Sequence, residues 1–424
     1  MTKNEMSIKN LNHSDINVRL SGLRKLMKKI ELGEIERPKT GNDVNNHIHT
    51  IYSFSPYSPT KAIWMSYQAG LKTAGIMDHD SISGAKEFIE AGKIVGIMTT
   101  IGVECRVNMT NTPLNGRRIN NPDQNSVAYM ALHGIPHQNI EKVVEFFKPF
   151  GVERNKRNAK MVDSINKLME PYDISMDFEI DVKPLSMTHE NGSVTERHIL
   201  FALSKKITKR FGLGVNVVNF LKNDMSMNIS SKTESLLLDE NNAVYEYDLL
   251  GALKSDLVEK FYIDATEECP DVSKVIALGK SIGAISAYAY LGDVGNSATG
   301  DKKTQKFEDD YIEELFVVLK TLGFNAVTYM PSRNTLDQLR KIKMLCEKNG
   351  LFQISGEDIN SPRQSFICEA QRNPEFSNLY DATMSLIAHE RAATKNINDG
   401  MFSENIISKF PDLSDRMAYY KKQL

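Results

Sequence analysis

No run of about eighteen apolar residues occurs anywhere in the chain, so nothing in it reads as a membrane-spanning helix. Cysteine is scarce: Cys105, Cys269, Cys346 and Cys368 lie far apart and form no CxxC pair, which excludes a disulfide framework and a thiolate zinc site. Those four are expected to be reduced and mostly buried. Net charge is nearly absent as well. With 52 basic and 54 acidic side chains the formal charge is −2, which argues against a broad non-specific grip on nucleic acid but leaves room for a local basic patch. The N-terminus, "MTKNEMSIKNLNHSD", has neither the apolar stretch of a signal peptide nor the Arg/Ser bias of a transit peptide, so a cytoplasmic protein is expected. There is no internal repeat, no long low-complexity segment and no Pro- or Gly-rich linker. What remains is a chain of 424 residues, 41% hydrophobic and 25% charged, the profile of a soluble globular protein with a full core and about one to three domains.

Residues 14–32, "SDINVRLSGLRKLMKKIEL", place apolar residues at helical spacing behind a Ser-Asp start, which predicts an amphipathic helix within a helical segment over 1–40. From 41 to 139, short apolar runs (TAGIMD, VGIMTTIGVEC, SVAYMALHGI) alternate with helical stretches, the signature of a parallel sheet or barrel. The alternation returns over 271–370 in helix-then-strand units punctuated by Gly. Between the two, 140–270 is dense in Lys, Asn, Ser and Met, with helical patterns and few convincing strands, and reads as a mainly helical insertion that would act as a substrate lid. The tail, 371–424, reads as helical.

In a parallel α/β barrel the chemistry collects where strands end. The expected ends here carry His47 and His49, then Asp78, His79 and Asp80, then Glu104, then His133 and His137, and downstream Asp358 and Asn360. His47 and His49, one residue apart, fall on one face of a strand. As an isolated pair they read equally well as surface histidines, or as one buried and one exposed. The series is different, because burying so many imidazoles and carboxylates costs on the order of several kcal/mol unless a cation compensates. Imidazole and carboxylate without thiolate suit Zn, Mn or Fe, and a shared carboxylate such as Glu104 or Asp358 can hold two ions about 3.5–4 Å apart.

The set resembles the PHP (polymerase and histidinol phosphatase) superfamily over most of the chain. "HIHT" is similar to the opening HxHT motif, "GIMDHDS" to TDHD, "GVEC" to GxE, "LHGI" to the histidine motif that follows, and "SGEDIN" to the closing GSDxH. The run from Leu322 to Asp358 resembles the last strand-helix-strand portion of the family. The insertion with "VTERHILFALSKKI" and the later "GAISAYAYLGD" resemble the branch of small phosphoesterases acting on nucleotides, nucleoside bisphosphates or short RNA ends, in which an Arg and a His of the insertion face the metals. The resemblance implies an α/β fold, a distorted (β/α)7 TIM-like barrel with a mainly helical insertion and helical termini. It also implies a multinuclear site with His47, His49, His79, Glu104, His133 and Asp358 at ligand positions. Three departures stand out. "SFS" (Ser53, Phe54, Ser55) offers no carboxylate or imidazole where the opening motif continues with one. Asn360, a weaker ligand, replaces a histidine. Tyr288, in "AYAY", stands where a ligand imidazole is expected, as a substrate-facing side chain instead. Two divalent ions are therefore expected rather than three.

On this reading the chain is a metal-dependent phosphoesterase for a phosphorylated small molecule or short nucleic-acid substrate, with no membrane partner. Arg197, His198 and Tyr288 would bind substrate, and His79 or His198 would protonate the leaving oxygen. The rival readings are a metal-dependent amidohydrolase and a degenerate PHP domain serving as a binding scaffold. The basic runs "RNKRNAK" (154–160) and "KKITKR" (205–210) read as solvated helix faces or as phosphate-attracting patches of the lid. "GNSATGDKK" imitates a phosphate-binding loop through Gly295 and Gly300, but Asp301 occupies the position of the essential lysine, which argues against triphosphate hydrolysis. His13, His137, His189 and His389 have no partner pattern and are taken as structural or surface residues.

Overall fold

A computed structural model describes residues 3–294 and 305–424. The phosphate-loop imitation at 295–303 lies outside the described residues. Seven strands hydrogen-bond in chain order into one sheet: β1 (Val44–Ile48), β2 (Thr73–His79), β3 (Met98–Asn108), β4 (Val127–His133), β5 (Ile285–Tyr290), β6 (Ala326–Tyr329) and β7 (Phe352–Ser355). Just past β7, the Ile359 N–H donates to His47 O (3.1 Å) and the His49 N–H donates to Ile359 O (2.9 Å), which brings the two edges together into a nearly closed barrel. Closure removes exposed sheet edges. Gly356 permits the approach, since a Cβ there would sit 2.7 Å from the His47 Cβ.

One strand breaks the parallel pattern. β4 runs antiparallel to both β3 and β5, while β1–β2, β2–β3, β5–β6 and β6–β7 are parallel. The expectation that β4 runs parallel and ends level with the other strand ends is corrected by this. β4 descends, so its C-terminal His133 pairs with Gly102, one side-chain pair deeper than Glu104 opposite Ala131. The same pairing explains why β3 does not stop at Glu104 but continues to Asn108, opposite Val127.

Helices cover the outside of the barrel. Asp15 caps the helix Ile16–Glu31 by accepting from the Asn17 N–H (2.7 Å), as the Ser-Asp start indicates. Its buried Arg19 pairs with Glu87 at 2.6 Å, and Glu87 also accepts from the Thr60 hydroxyl (2.6 Å), so one carboxylate ties three outer helices together. Between β4 and β5 the described residues form helices and no strand. The long elements there are Ile140–Met169, Glu196–Phe211 and Tyr245–Phe261. They bury their own core around Met161, Ile165, Leu200, Leu203, Leu249 and Leu253, and Phe54 joins it from the barrel mouth. At the opposite end, the helix Asn378–Lys395 covers the barrel floor. Its Ala382, Leu386 and Ala388 pack with Ile285, Ala287, Ala326, Phe352 and Ile354. All four cysteines are free and buried, and no described helix is long and apolar enough to cross a membrane.

Candidate metal centre

β1 and β2 run side by side and deliver His47, His49 and His79 to the barrel mouth. β3 lies beside β2 with Glu104 level with His79. The result is a compact group. His47 Nε2 lies 3.2 Å from His49 Nε2. The Glu104 Oε2 is 3.1 Å from His79 Nδ1 and 3.7 Å from His47 Nε2. From the loop after β7, Asp358 Oδ1 reaches to 3.0 Å from His49 Nε2. One ligand atom each from His47, His49 and Glu104 lies within 4.8 Å of the others. The rings of His49 and His79 are 4.6 Å apart.

The electrostatics follow from charge packed into a buried space. Burial alone would depress His47, but the adjacent Glu104 carboxylate outweighs it and lifts the imidazole to about 8. Burial would raise Glu104, yet His47 and His79 hold it well below the usual carboxylate range. Burial lowers His49 against the pull of Asp358, and Asp358 itself lies well below its ordinary value because His49, His47 and Arg197 offset its burial. His133, buried beneath the group, falls to about 3 through burial and the His47 charge, and its Nε2 has no hydrogen-bond partner among the described residues.

These residues fit a metal. Two imidazole nitrogens in contact, an orphaned buried Nε2 below them and two carboxylates beside them are nitrogen and oxygen donors that lack enough protons to satisfy one another. A divalent cation supplies what is missing. His47, His49, Glu104, His133 and Asp358 would hold it, with His79 on the far side of Glu104.

Other expected site residues are placed differently. Asn360 is beside the site but serves it indirectly: its Nδ2 donates to Asp358 Oδ1 at 2.7 Å. Tyr288 is not at the site. It is fully buried among the outer core residues, its ring stands edge-on to Phe324, and its hydroxyl donates to Glu308 at 3.3 Å. Neighbouring strand positions point to opposite faces, and the register pairs Ala131 with Ala287, so the inward face of β5 carries alanine rather than tyrosine. His198 also departs from expectation. It occupies the third helical position behind Thr195, its Nδ1 accepts the Thr195 N–H (3.0 Å) in a capping box, and its ring meets Phe54 edge-on. That arrangement explains the "SFS" departure: Phe54 is an apolar anchor for the insertion, packed near Phe201 and Tyr247 as well.

Arg197, the adjacent residue, lies within charge range of the site. Its guanidinium is half-buried, makes no hydrogen bond or ion pair with the described residues, and exchanges charge interactions with Asp358. Lys254, exposed on the helix Tyr245–Phe261, stands near it, and the Arg197 charge lowers its ammonium below the usual lysine value. Arg333, after β6, also interacts with Asp358. Neither Lys254 nor Arg333 belongs to a motif of the sequence. Arg333 follows a strand end, a signal that was available; Lys254 lies in an ordinary helical pattern, and only the packing of the insertion brings it in.

The run 154–160 is neither a solvated face nor a phosphate patch at its two arginines. Arg154 and Arg157 are buried in a network with Arg106, Asp80, Glu196 and Glu268. Arg157 meets Glu268 and Glu196 at 2.7 Å each, Arg106 meets Glu268 at 2.8 Å, and Arg154 pairs with Asp80. In the run 205–210, Lys206 pairs with Asp181 and Arg210 with Asp173.

No curated protein matches the sequence. Among solved structures, the fold is similar to that of a proposed metal-dependent phosphoesterase from Bifidobacterium adolescentis, with a TM-score of 0.51 and 18% identity over 79% of this chain and 93% of that one. An amidohydrolase from Chromobacterium violaceum, solved with bound sulfate and no metal, aligns with 77% of this chain and 90% of its own at a TM-score of 0.49 and 16% identity. The PHP domain model matches residues 45–324. Together with the seven-stranded barrel and its His-His-Glu group, that match means that this chain belongs to the PHP domain family, a family of metal-dependent hydrolases.

Proposed function

We propose that the chain is a metal-dependent phosphoesterase that hydrolyses a phosphomonoester or phosphodiester, with a nucleotide, nucleoside bisphosphate or short RNA end as substrate. The observation that carries the reading is a metal-type donor group with an unpaired guanidinium in its neighbourhood: Arg197 lies close enough to Asp358 for their charges to interact, and no described carboxylate is bonded to it. Divalent ions bound at the site would polarise a phosphoryl oxygen and acidify a water. Glu104, between His47 and His79, is the carboxylate placed to be shared, and Asp358 serves on the His49 side. Arg197 offers two parallel N–H donors to a substrate phosphate away from the scissile bond, a geometry lysine lacks, and Lys254 adds charge beside it. His79 turns Nδ1 toward Glu104, which leaves Nε2 to hold and deliver a proton to the leaving oxygen.

The test combines metal content with a substrate contrast. Purified protein is expected to carry about two divalent transition-metal ions per chain, and Asp358→Ala should lower turnover by more than about 100-fold, beyond what outer-sphere partners contribute. Arg197→Ala should raise KM for phosphorylated nucleotides or short RNA and leave a small chromogenic phosphodiester nearly unchanged. Equal losses on both substrates would place Arg197 in the hydrolytic step or the fold rather than in recognition. A protein that neither carries nor rebinds metal, or that cleaves amides and no phosphoester, would overturn the proposal.

A further inference from the structure

The loop after β1 and the end of β2 share a buried polar chain. Asp78 is 1% exposed and accepts three hydrogen bonds, from the Thr50 N–H (2.6 Å), the Thr50 hydroxyl (2.6 Å) and the Ser53 hydroxyl (2.7 Å). Ser53 is fully buried, and its Oγ lies 3.2 Å from His49 Nδ1. On its other side, His49 Nε2 faces Asp358 Oδ1 at 3.0 Å and His47 Nε2 at 3.2 Å.

The proton inventory settles the Nδ1 side of His49. A carboxylate only accepts, and a serine hydroxyl has one proton to give. At 2.7 Å that proton belongs to Asp78, because the alternative sets hydroxyl and carboxylate lone pairs against each other. Between Ser53 Oγ and His49 Nδ1 the donor is then the ring nitrogen. His49 therefore carries a proton on Nδ1, which leaves Nε2, facing Asp358 and His47, as the nitrogen for a metal.

We infer that Ser53 and Asp78 form a positioning relay that fixes the tautomer and ring angle of His49 for metal binding. Asp78 also grips Thr50, the residue after His49, so one side chain holds the turn at two points. Outer partners of this kind set which nitrogen of a histidine binds metal and raise its basicity. The consequence for affinity rests on the metal-dependent reading; the tautomer does not.

The measurement is long-range proton–nitrogen NMR on full-length protein labelled at histidine nitrogens, metal-free and zinc-loaded, with His49 assigned by the signal lost in His49→Asn. Wild type should show a protonated Nδ1 on His49. Ser53→Ala should lose that fixed state and weaken zinc binding, read by competition with a chromogenic chelator, by about 10–100-fold. Ser53→Thr, which keeps the γ-hydroxyl, should restore most of both. An unprotonated Nδ1 in wild type overturns the relay, as does Ser53→Ala with wild-type affinity and an unchanged nitrogen spectrum. If Ser53→Ala does not fold, the wild-type tautomer still decides. A wild-type protein with Nδ1 protonated that binds no zinc leaves the relay standing and removes the metal reading.

Discussion

Asn360 stands where the family pattern has a histidine, and its bonds show what the exchange costs. Its amide nitrogen donates to Asp358, while Gln364 accepts from the Asn360 and Ser361 backbone N–H groups and donates to Asp358 O at 2.7 Å. The amide must turn its N–H end to the carboxylate, since its carbonyl would meet the Asp358 lone pairs; it steadies a ligand instead of being one. Asn360→His should therefore raise the metal retained through dialysis from about two ions toward about three, measured by elemental analysis, and no rise would mean that another feature limits the count. Glu308 makes a different prediction. It is fully buried, accepts from the Leu291 N–H at 2.8 Å, and burial pushes it from 4.5 up to about 8. A raised carboxyl pKa means that the folded protein holds this proton more tightly than the unfolded chain does. Its contribution to stability is thus complete below about pH 4.5 and is lost as pH rises through about 8, at no more than about 1.4 kcal/mol per pH unit. Glu308→Gln should flatten that slope in urea titrations run at several pH values, gaining on wild type at pH 9 and not at pH 5.

At the scale of elements, the insertion is joined to the barrel by charge as much as by apolar contact. Glu268 receives Arg106 from β3 and Arg157 from the helix Ile140–Met169, with Arg154 at 3.6 Å. Removing it strands buried guanidinium groups, so Glu268→Ala should cost about 3–5 kcal/mol in denaturant titrations, whereas breaking the exposed Arg117–Glu314 pair should cost no more than about 1 kcal/mol. A Glu268→Ala loss no larger than that of the surface pair would mean that water reaches the network. This network also marks a limit of reading sequence. "RNKRNAK" looks like a solvated face because a helix periodicity cannot say that a second layer will cover it, and the covering carboxylates, Glu196 and Glu268, come from 39 and 111 positions away. The parallel alternation was legible for β2, β3, β5, β6 and β7, because each is a short, largely apolar run soon after a helix closed by Gly. β4 was not, since the direction of a strand leaves no mark in its own residues.

Across the whole molecule, what was legible was what repeats a pattern: the imidazole and carboxylate spacing at the barrel mouth, which the fold does gather, and the helix and strand periodicity. What was not legible depends on facing and register. Tyr288 falls one position out of phase with the inward face of β5, and His198 is taken up by its own helix cap. The floor of the barrel belongs to the same class. Nothing in "DATMSLIAHERAATK" says which surface that helix covers, yet its Leu386 is fully buried among inward residues of β5, β6 and β7. Polar anchors fix its position. Glu390 accepts from the Thr100 hydroxyl (2.6 Å) and the Ile101 N–H (2.8 Å) and faces His137 Nε2 at 2.9 Å. The mouth and the floor are thus served by separate parts of the chain, with the metal-type ligands at one end and this helix at the other. Leu386→Ala should then destabilise the protein by about 2–5 kcal/mol through the cavity it leaves, read from denaturant midpoints, while metal affinity at the far end stays at the wild-type value. A variant with an intact midpoint would show that the helix rests on the barrel without sealing it, and one with metal affinity lost under fully native conditions would show that floor and mouth are mechanically coupled.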